Sequence, residues 1–449
     1  MPFRHQPELE LLRQALDTLE TGFDDLADSA SHYDLSGVAG VLQETARRMQ
    51  DNYPYHHPRY AGQMLKPPHP VARLAYALSL WLNPNNHALD GGRASSAMEL
   101  ECVAAIARMF GMKEWLGHLC GGGTMANLEA LWVAGQLRPG CILASQQAHY
   151  THARLSEVLK LDFAAVPVTP AGGMDMDALR RLLQTRQVGT VVATIGTTGV
   201  GAVDPLADIL ALREEFDFRV HVDAAYGGYF HIAAELADVN RRHYDGIAEA
   251  DSIVIDPHKH GLQPYGCGCV LFTDPGVGTL YKHDSAYTYF TSTELHLGEI
   301  SLECSRPGAA AVALWATQQL LPMQRGAAFA EGLDRSLLAA RRFRERIAAS
   351  ENYLALMPPE LDIVVYAVNA PDATTASERA RVIFERAADA DLHLALIELP
   401  AALVSHYRPE LELNRDTVTC LRSCLMKPEH LDWVDDVCAT LDDIAERLA

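Results

Sequence analysis

The chain has 449 residues, of which 49% are hydrophobic and 21% are charged, the balance of a soluble globular protein and not of a disordered one. Its formal net charge of -21 argues against a nucleic-acid or anionic-membrane surface, because both require a basic footprint. Since a chain of this length exceeds one ordinary hydrophobic core, we expect a large domain with a smaller companion.

The sequence contains no pattern typical of secretion or membrane insertion. The first residues have no apolar core followed by a cleavage site, and apolar stretches such as 71–82 fall short of the roughly 20 residues of a spanning helix. Nine cysteines without regular spacing indicate reduced thiols in a cytoplasmic protein, and we expect all nine to be buried structural thiols. No cysteine pair has a zinc-site partner at the required spacing, so we expect no metal.

Apolar residues near the N-terminus recur in steps of three and four, which predicts a helix with one full apolar face. These residues are Leu9, Leu12, Leu16, Leu19, Phe23 and Leu26. Such a face must be covered, either by the helix's own domain or by a partner. Five prolines between positions 54 and 70 then forbid a continuous helix and predict an ordered, extended loop.

Residues 71–112 predict two helices, and short apolar runs alternate with helical stretches after them. Seven runs are bounded by glycine, proline or polar turns: 117–120, 141–145, 163–168, 190–196, 219–225, 252–256 and 268–272. This alternation predicts an α/β architecture with a largely parallel sheet covered on both faces. Ligands of such sheets gather at the carboxyl ends of the strands.

After Leu321 the pattern changes to that of a compact α+β domain. Its predicted elements are helices over 327–350, 375–390 and from His430 onward, and strands over 362–369, 392–399 and 416–425. The chain therefore divides into an N-terminal helix and extended segment over 1–75, a large domain over 76–321 and a small C-terminal domain over 322–449.

Three strand ends carry residues suited to an anionic cofactor with an aldehyde. Lys259 follows an apolar strand in SIVIDPHKHGLQPYGCGC, where its amine can form a Schiff base. The glycines of 121–124 precede a helix, so they suit either a phosphate cradle or a tight strand-to-helix turn. Asp223 ends the fifth strand, and a carboxylate at that depth requires a positive partner.

Six blocks occur in a characteristic order: HHPRYAGQM, GGGTMANLEAL, AHYTHARL, GTTGVGAVDPL, HVDAAYGG and DPHKHG. Together they resemble the group II pyridoxal-phosphate-dependent amino-acid decarboxylases, the family of glutamate, aromatic amino-acid and cysteine sulfinate decarboxylases. The resemblance implies the type I PLP fold, the aspartate aminotransferase-like architecture, with a mostly parallel seven-stranded sheet. It also implies pyridoxal 5'-phosphate as the cofactor and a homodimer with active sites at the subunit interface.

The resemblance assigns roles to residues around the cofactor. Lys259 would anchor the aldehyde, His149 would stack on the pyridine ring, and Asp223 would pair with the ring nitrogen. The full expected cofactor set is Gly122, Gly123, Thr124, His149, Thr198, Asp223, Ala225, Ser252, His258 and Lys259. His152 fits a helix-capping or solvent histidine better than a cofactor contact.

Two positions near the expected phosphate are left open. Asp256 stands where the aromatic branch has asparagine, and an acid beside a phosphate is unfavourable unless it is turned away. This departure weighs against an aromatic substrate. Arg306 resembles the SRP segment of bacterial glutamate decarboxylases and is either structural or near the phosphate.

Three positions are candidates for substrate binding. Tyr60 and Gln63 resemble the pocket segment of the glutamate branch, where a glutamine contacts the substrate's side-chain carboxylate. A proline-stiffened domain edge is the other interpretation. Arg422 matches a small-domain arginine near the substrate, and a surface ion pair is its other interpretation.

Residues 281–297 show no sustained period and predict a mobile loop. In the family an equivalent loop supplies a tyrosine that donates the proton to the α-carbon. Tyr289 and Tyr287 are the candidates, with Tyr289 slightly favoured, and aromatic packing at a dimer interface is the alternative.

The resemblance implies decarboxylation of an L-amino acid to an amine and carbon dioxide. An acidic substrate is slightly preferred over an aromatic one because of HPRYAGQM and HKHGLQPYGCG. A carbon-carbon lyase or an aldehyde synthase on the same scaffold is the alternative. The presence of Lys259, Asp223 and His149 argues against a non-enzymatic scaffold.

Overall fold

A seven-stranded sheet forms the centre of the protein in the computed structural model, which describes residues 5–26, 34–282 and 300–448. Its strands are β1 Leu116–Cys120, β2 Cys141–Ser145, β3 Phe163–Val166, β4 Val188–Thr194, β5 Arg219–Asp223, β6 Ser252–Ile255 and β7 Gly268–Phe272. They lie in the order β1-β7-β6-β5-β4-β2-β3, and all are parallel except β7. The predicted α/β fold with a mostly parallel seven-stranded sheet is confirmed.

Fourteen α-helices occur in the described ranges, and most of them pack against this sheet or the smaller sheet that follows it. They are α1 His5–Thr21, α2 Val38–Met49, α3 Pro70–Ser79, α4 Arg93–Met109, α5 Gly123–Leu137, α6 Thr151–Leu159, α7 Met176–Thr185, α8 Leu206–Arg213, α9 Asp238–Asp245, α10 Gly308–Leu320, α11 Ala328–Ala349, α12 Ala373–Asp389, α13 Ala401–Tyr407 and α14 His430–Glu446. Side-chain caps explain two of the starts: Asp175 accepts from the Ala178 amide, and Asp372 accepts from the Thr375 amide.

Strands β4 and β6 are buried on both faces. Every residue of the two strands is buried, so their sequences are mostly apolar and do not alternate between apolar and polar residues. The sheet therefore forms a rigid platform, and the polar residues at its carboxyl edge mark the place where chemistry is possible.

The C-terminal part forms a smaller sheet with helices, as predicted, and the strands of this sheet are antiparallel. Its strands are β8 Tyr353–Ala355, β9 Ile363–Val368, β10 Ala395–Pro400 and β11 Thr417–Cys424, in the order β10-β11-β9-β8. The sequence did not predict β8, which has only three residues, or the short helix α13 that follows β10.

The N-terminal helix is present, but the described chain covers its apolar face only in part. Leu12, Leu16 and Leu19 are partly buried, whereas Phe23 and Leu26 lie beyond the end of the helix and are exposed. No residue of α1 is buried, and Leu9 is 58% exposed. Its Glu8 pairs with Arg73 at 2.6 Å, which holds this end of α1 against α3. In α2, Val41 and Leu42 are likewise exposed. The described part of a single chain thus leaves this apolar surface open.

Two further expectations concern membrane segments and cysteines. None of the helices in the described ranges is both long enough and apolar enough to cross a membrane. All nine cysteines are free, and eight are buried. Cys304 is exposed, so the expectation that all nine are buried is wrong at that position.

Candidate active site

A cavity of 510 Å³ opens at the carboxyl edge of the large sheet. The ends of β1, β2, β4, β5 and β6 reach it, and so does the start of the antiparallel strand β7. The expected cofactor residues that line it are Gly122, Gly123, Thr124, His149, Thr198, Asp223, Ala225, His258 and Lys259. Residues far apart in sequence therefore meet in one cavity because parallel strands end at the same edge.

Ser252 is the one expected cofactor residue that does not line the cavity. It begins β6, so it lies at the opposite end of the strand, about 10 Å from the carboxyl edge. Its hydroxyl lies 2.8 Å from Nδ1 of His221 in the sheet interior. The structure therefore corrects the expectation that Ser252 approaches a phosphate.

The glycine turn before α5 has the geometry of an anion cradle. Gly122 has φ +145°, and a Cβ there would lie 3.2 Å from the His258 ring. A Cβ on Gly123 would lie 2.7 Å from an Asp256 oxygen. The Gly121 amide donates to a carboxylate oxygen of Glu303 at 3.1 Å, so an anionic group already accepts from this turn. Backbone amides at a helix start suit the phosphate of pyridoxal phosphate.

Asp223 is held as an ionised carboxylate deep in the cavity, with 4% of its surface exposed. His152 Nε2 lies 2.8 Å from Oδ2, the Asn127 amide donates to Oδ2 at 3.3 Å, and the Ala225 N–H donates to Oδ1 at 3.1 Å. Burial alone would raise the pKa of Asp223, but the hydrogen bond from His152 and the charge of Lys259 outweigh it and lower the pKa. An anion here fits a protonated pyridine nitrogen.

His152 is neither a solvent histidine nor a simple helix cap, which corrects the expectation for this residue. It is fully buried and contacts Asp223. Asn127 and His221 were also missed: the His221 ring lies 2.7 Å from the Asn127 side-chain oxygen. One signal was available for His221, because it precedes Asp223 by two residues and shares its face of β5.

Lys259 and Asp256 form an ion pair on the cavity wall. Their side chains approach to 3.0 Å, and the turn is closed by the Lys259 amide donating to the Asp256 carbonyl at 2.9 Å. Asp256 is 2% exposed. It is therefore not turned away from the cradle, and Lys259 supplies its counter-charge.

His149 lies between exposed and buried on the cavity wall. Its Nδ1 lies 2.5 Å from the Thr151 hydroxyl, which fixes the ring at the start of α6. Burial lowers the pKa of His149, so the ring is neutral at pH 7. A neutral planar ring in this position suits stacking on a pyridine ring.

The expected substrate residues lie outside the cavity lining. Tyr60 is buried, and its carbonyl accepts from the Lys427 amine at 2.6 Å. Gln63 is exposed, and the neighbouring Met64 carbonyl accepts from the hydroxyl of Tyr265, which does line the cavity. The extended segment therefore reaches the cavity through Tyr265.

Two arginines receive a clear structural role. Arg422 is 5% exposed and donates to the carbonyls of Thr198 and Gly199 at 2.7 and 2.9 Å, so it is not a surface ion pair. It ties β11 of the small sheet to the loop that carries Thr198. Arg306 is buried and pairs with Glu99 at 2.5 Å, a structural contact.

Tyr287 and Tyr289 lie outside the described residues. The assignment of the proton donor to one of them stays a prediction.

Comparison with known proteins gives a consistent result. The model of the pyridoxal-dependent decarboxylase conserved domain matches residues 137–369. An L-tyrosine decarboxylase of Enterococcus faecium is 28% identical over 434 residues, which cover 74% of this chain and 70% of that protein. A probable L-tyrosine/L-aspartate decarboxylase of Methanothermobacter thermautotrophicus is 27% identical over 317 residues, with 69% and 82% covered.

The fold has a close match among solved structures. The crystal structure of Oryza sativa TDC with PLP and tryptamine has a TM-score of 0.77 at 17% identity, and the match covers 97% of this chain and 96% of that one. At this level of identity the likeness establishes the type I PLP fold.

Proposed function

This chain belongs to the pyridoxal-dependent decarboxylase family, and we propose that it converts an acidic L-amino acid to its amine and carbon dioxide. It is a pyridoxal-phosphate-dependent amino-acid decarboxylase. The observation that carries the proposal is the convergence of Lys259, Asp223 and the glycine cradle on one cavity.

Pyridoxal phosphate, when bound, supplies an electron sink for the pair released as a bond to the substrate α-carbon breaks. Asp223 would hold a proton on the ring nitrogen, and Lys259 would hold the aldehyde carbon. The amides of Gly122 and Gly123 would hold the phosphate, and His149 would restrain one face of the ring.

The preference for an acidic substrate rests on the extended segment that carries Tyr60 and Gln63. The contact between the Tyr265 hydroxyl and the Met64 carbonyl, 3.1 Å long, keeps this segment at the cavity mouth. Gln63 is exposed and lies outside the cavity lining, next to Met64, and its side-chain amide is a donor suited to a substrate carboxylate that extends to the cavity mouth. Among the described residues that line the cavity, the cationic and histidine side chains are Lys259, His149 and His258, and the proposal assigns all three to the cofactor.

L-tyrosine is the second candidate substrate. The names of the two relatives above support it, and so does the cavity wall, which includes the apolar side chains of Met125 and Leu128 and the aromatic ring of Tyr265. An aromatic side chain buried against such surface gains hydrophobic free energy without a charged partner.

We further propose a homodimer in which the exposed apolar faces of α1 and α2 meet the partner. Leu9, Val41 and Leu42 are more than half exposed in the described chain, a pattern typical of an interaction surface. Light scattering on the purified protein should give twice the chain mass of 49.2 kDa. Replacing Leu9 and Leu42 by aspartate should shift the mass toward that of one chain.

The substrate assay incubates the purified chain and added pyridoxal phosphate with L-aspartate, L-glutamate, L-tyrosine and L-tryptophan in turn. Carbon dioxide, amine, aldehyde and ammonia are quantified, and Lys259→Ala serves as the inactive control. The proposal expects the highest kcat/KM for an acidic substrate, with amine and carbon dioxide in equal amounts. A higher value for tyrosine would reassign the substrate, aldehyde with ammonia would indicate an aldehyde synthase, and no carbon dioxide from any substrate would refute decarboxylation.

A further inference from the structure

The His152 side chain makes one hydrogen bond in the described chain, and its partner is Asp223. The residue is the second of α6 and is fully buried. Its Nε2 lies 2.8 Å from Asp223 Oδ2, while its Nδ1 is buried without a hydrogen-bond partner among the described residues. Only one of the two ring nitrogens of His152 therefore has a hydrogen-bond partner among the described residues.

The direction of this hydrogen bond follows from chemistry. An ionised carboxylate only accepts, so Nε2 must carry the hydrogen. The other ring nitrogen, Nδ1, is buried and has no hydrogen-bond partner among the described residues, so Asp223 is the one group among them to which the His152 ring hydrogen-bonds. His152 is thus set up to donate to Asp223.

Stability of the fold does not explain a histidine in this place. A buried imidazole with one hydrogen bond gives up solvation at its other nitrogen, and an apolar side chain of similar size would lose nothing there. The residue is therefore better explained by what it does to Asp223 than by what it does for the core.

The three hydrogen bonds to Asp223 are unequal. The contact from His152, at 2.8 Å, is shorter than that from the Ala225 amide at 3.1 Å and that from Asn127 at 3.3 Å. His152 and Asn127 share Oδ2, while Ala225 binds Oδ1. Without His152, Oδ2 would keep only the longest of the three contacts and the carboxylate could rotate.

We propose that His152 is a positioning residue, which holds the Asp223 carboxylate in the orientation that binds the ring nitrogen of pyridoxal phosphate. The inference rests on the family assignment, but it does not depend on which amino acid is the substrate. It predicts that His152 affects cofactor binding and the cofactor's spectrum before any substrate is added.

The test compares His152→Phe, which removes the donor but fills the space, with His152→Gln, which retains an N–H donor. Ser156→Ala is the matched control, because Ser156 is buried on the same helix and its hydroxyl donates only to the His152 carbonyl, at 2.8 Å. Each cofactor-free protein is titrated with pyridoxal phosphate by absorbance, and its thermal unfolding is recorded.

We expect His152→Phe to unfold at the wild-type temperature or above it, yet to bind the cofactor about 10- to 100-fold more weakly with an altered absorption maximum. His152→Gln should recover most of the affinity, and Ser156→Ala should keep it. Wild-type affinity and spectrum in His152→Phe would overturn the inference. So would a loss of thermal stability in His152→Phe together with no recovery in His152→Gln, since that result identifies a structural role. A wrong substrate assignment would leave all these measurements unchanged.

Discussion

Replacing Arg306 by methionine should destabilise the protein by about 3 to 5 kcal/mol, because the Glu99 carboxylate would be left buried without a cation. Arg306 is 4% exposed and Glu99 is 2% exposed. The guanidinium pairs with Glu99 at 2.5 Å and also donates to the carbonyls of Leu119 and Asn86, at 2.6 and 3.1 Å. One side chain thus joins α4, the end of β1 and the segment before α10.

A second substitution separates the part of this destabilisation that comes from the unpaired charge from the part that comes from lost hydrogen bonds. Glu99→Gln removes the charge but keeps an oxygen for the Leu119 amide, which donates to Glu99 at 3.0 Å. The double variant Arg306→Met with Glu99→Gln should therefore be more stable than Arg306→Met alone, by about 2 kcal/mol. The free energy of unfolding is measured by urea denaturation followed by circular dichroism.

A surface pair provides the control. Arg180 and Glu215 approach to 2.6 Å with about half of each side chain exposed, so Arg180→Met should cost less than about 1 kcal/mol. Two results would contradict this reasoning: Arg306→Met lowers the free energy of unfolding no more than Arg180→Met does, or the added Glu99→Gln substitution restores none of the loss. Either result would mean that the buried Glu99 carboxylate does not need Arg306 as its counter-charge.

Three further predictions concern pH, the cradle and the proton donor. Burial lowers the pKa of His430 from 6.5 to about 3, so on acidification this histidine is protonated in the unfolded chain before it is protonated in the folded one. The free energy of unfolding should therefore fall by about 2 kcal/mol between pH 6.5 and pH 5. His430→Gln should reduce this loss, as measured by thermal unfolding between pH 5 and 7.5. Gly122→Ala should weaken cofactor binding at least tenfold in an absorbance titration, since φ is +145° and the added Cβ would lie 3.2 Å from the His258 ring. Gly111→Ala is the control for backbone strain, because Gly111 also has a positive φ, +80°, but lies outside the cavity lining, so this variant should bind the cofactor normally. Tyr289→Phe should bind the cofactor normally but form less amine and more aldehyde for each carbon dioxide released. A full amine yield in both Tyr289→Phe and Tyr287→Phe would show that residues 281–297 do not supply the proton donor.

The sheet and much of the cavity are predictable from the sequence because their determinants are local. β7 is bounded by a turn and is wholly apolar, so its limits match the expectation. Asp223 and Lys259 stand out because a polar residue after an apolar run marks the carboxyl edge. These signals depend on neighbours in sequence and need no knowledge of packing.

The rest depends on contacts between distant segments. Whether His152 faces the sheet or solvent is decided by how α6 packs, which its nine residues do not reveal. The position of Arg422 against the Thr198 loop joins residues 224 apart, and no periodicity encodes such a contact. For Ser252 the resemblance is misleading, because the residue begins β6 and so lies far from the edge where the cofactor residues meet.

Lys259 is the residue expected to carry the cofactor, and one labelling experiment tests this directly. The protein loaded with pyridoxal phosphate is reduced with borohydride and digested, and the peptides are mapped by mass spectrometry. We expect the phosphopyridoxyl group on the peptide that contains Lys259 and none in Lys259→Ala. Two competing lysines have pKa values lowered by burial, Lys66 to about 8 and Lys427 to about 7, but neither lines the cavity. A label on Lys66 or Lys427 with Lys259 unmodified would contradict the assignment.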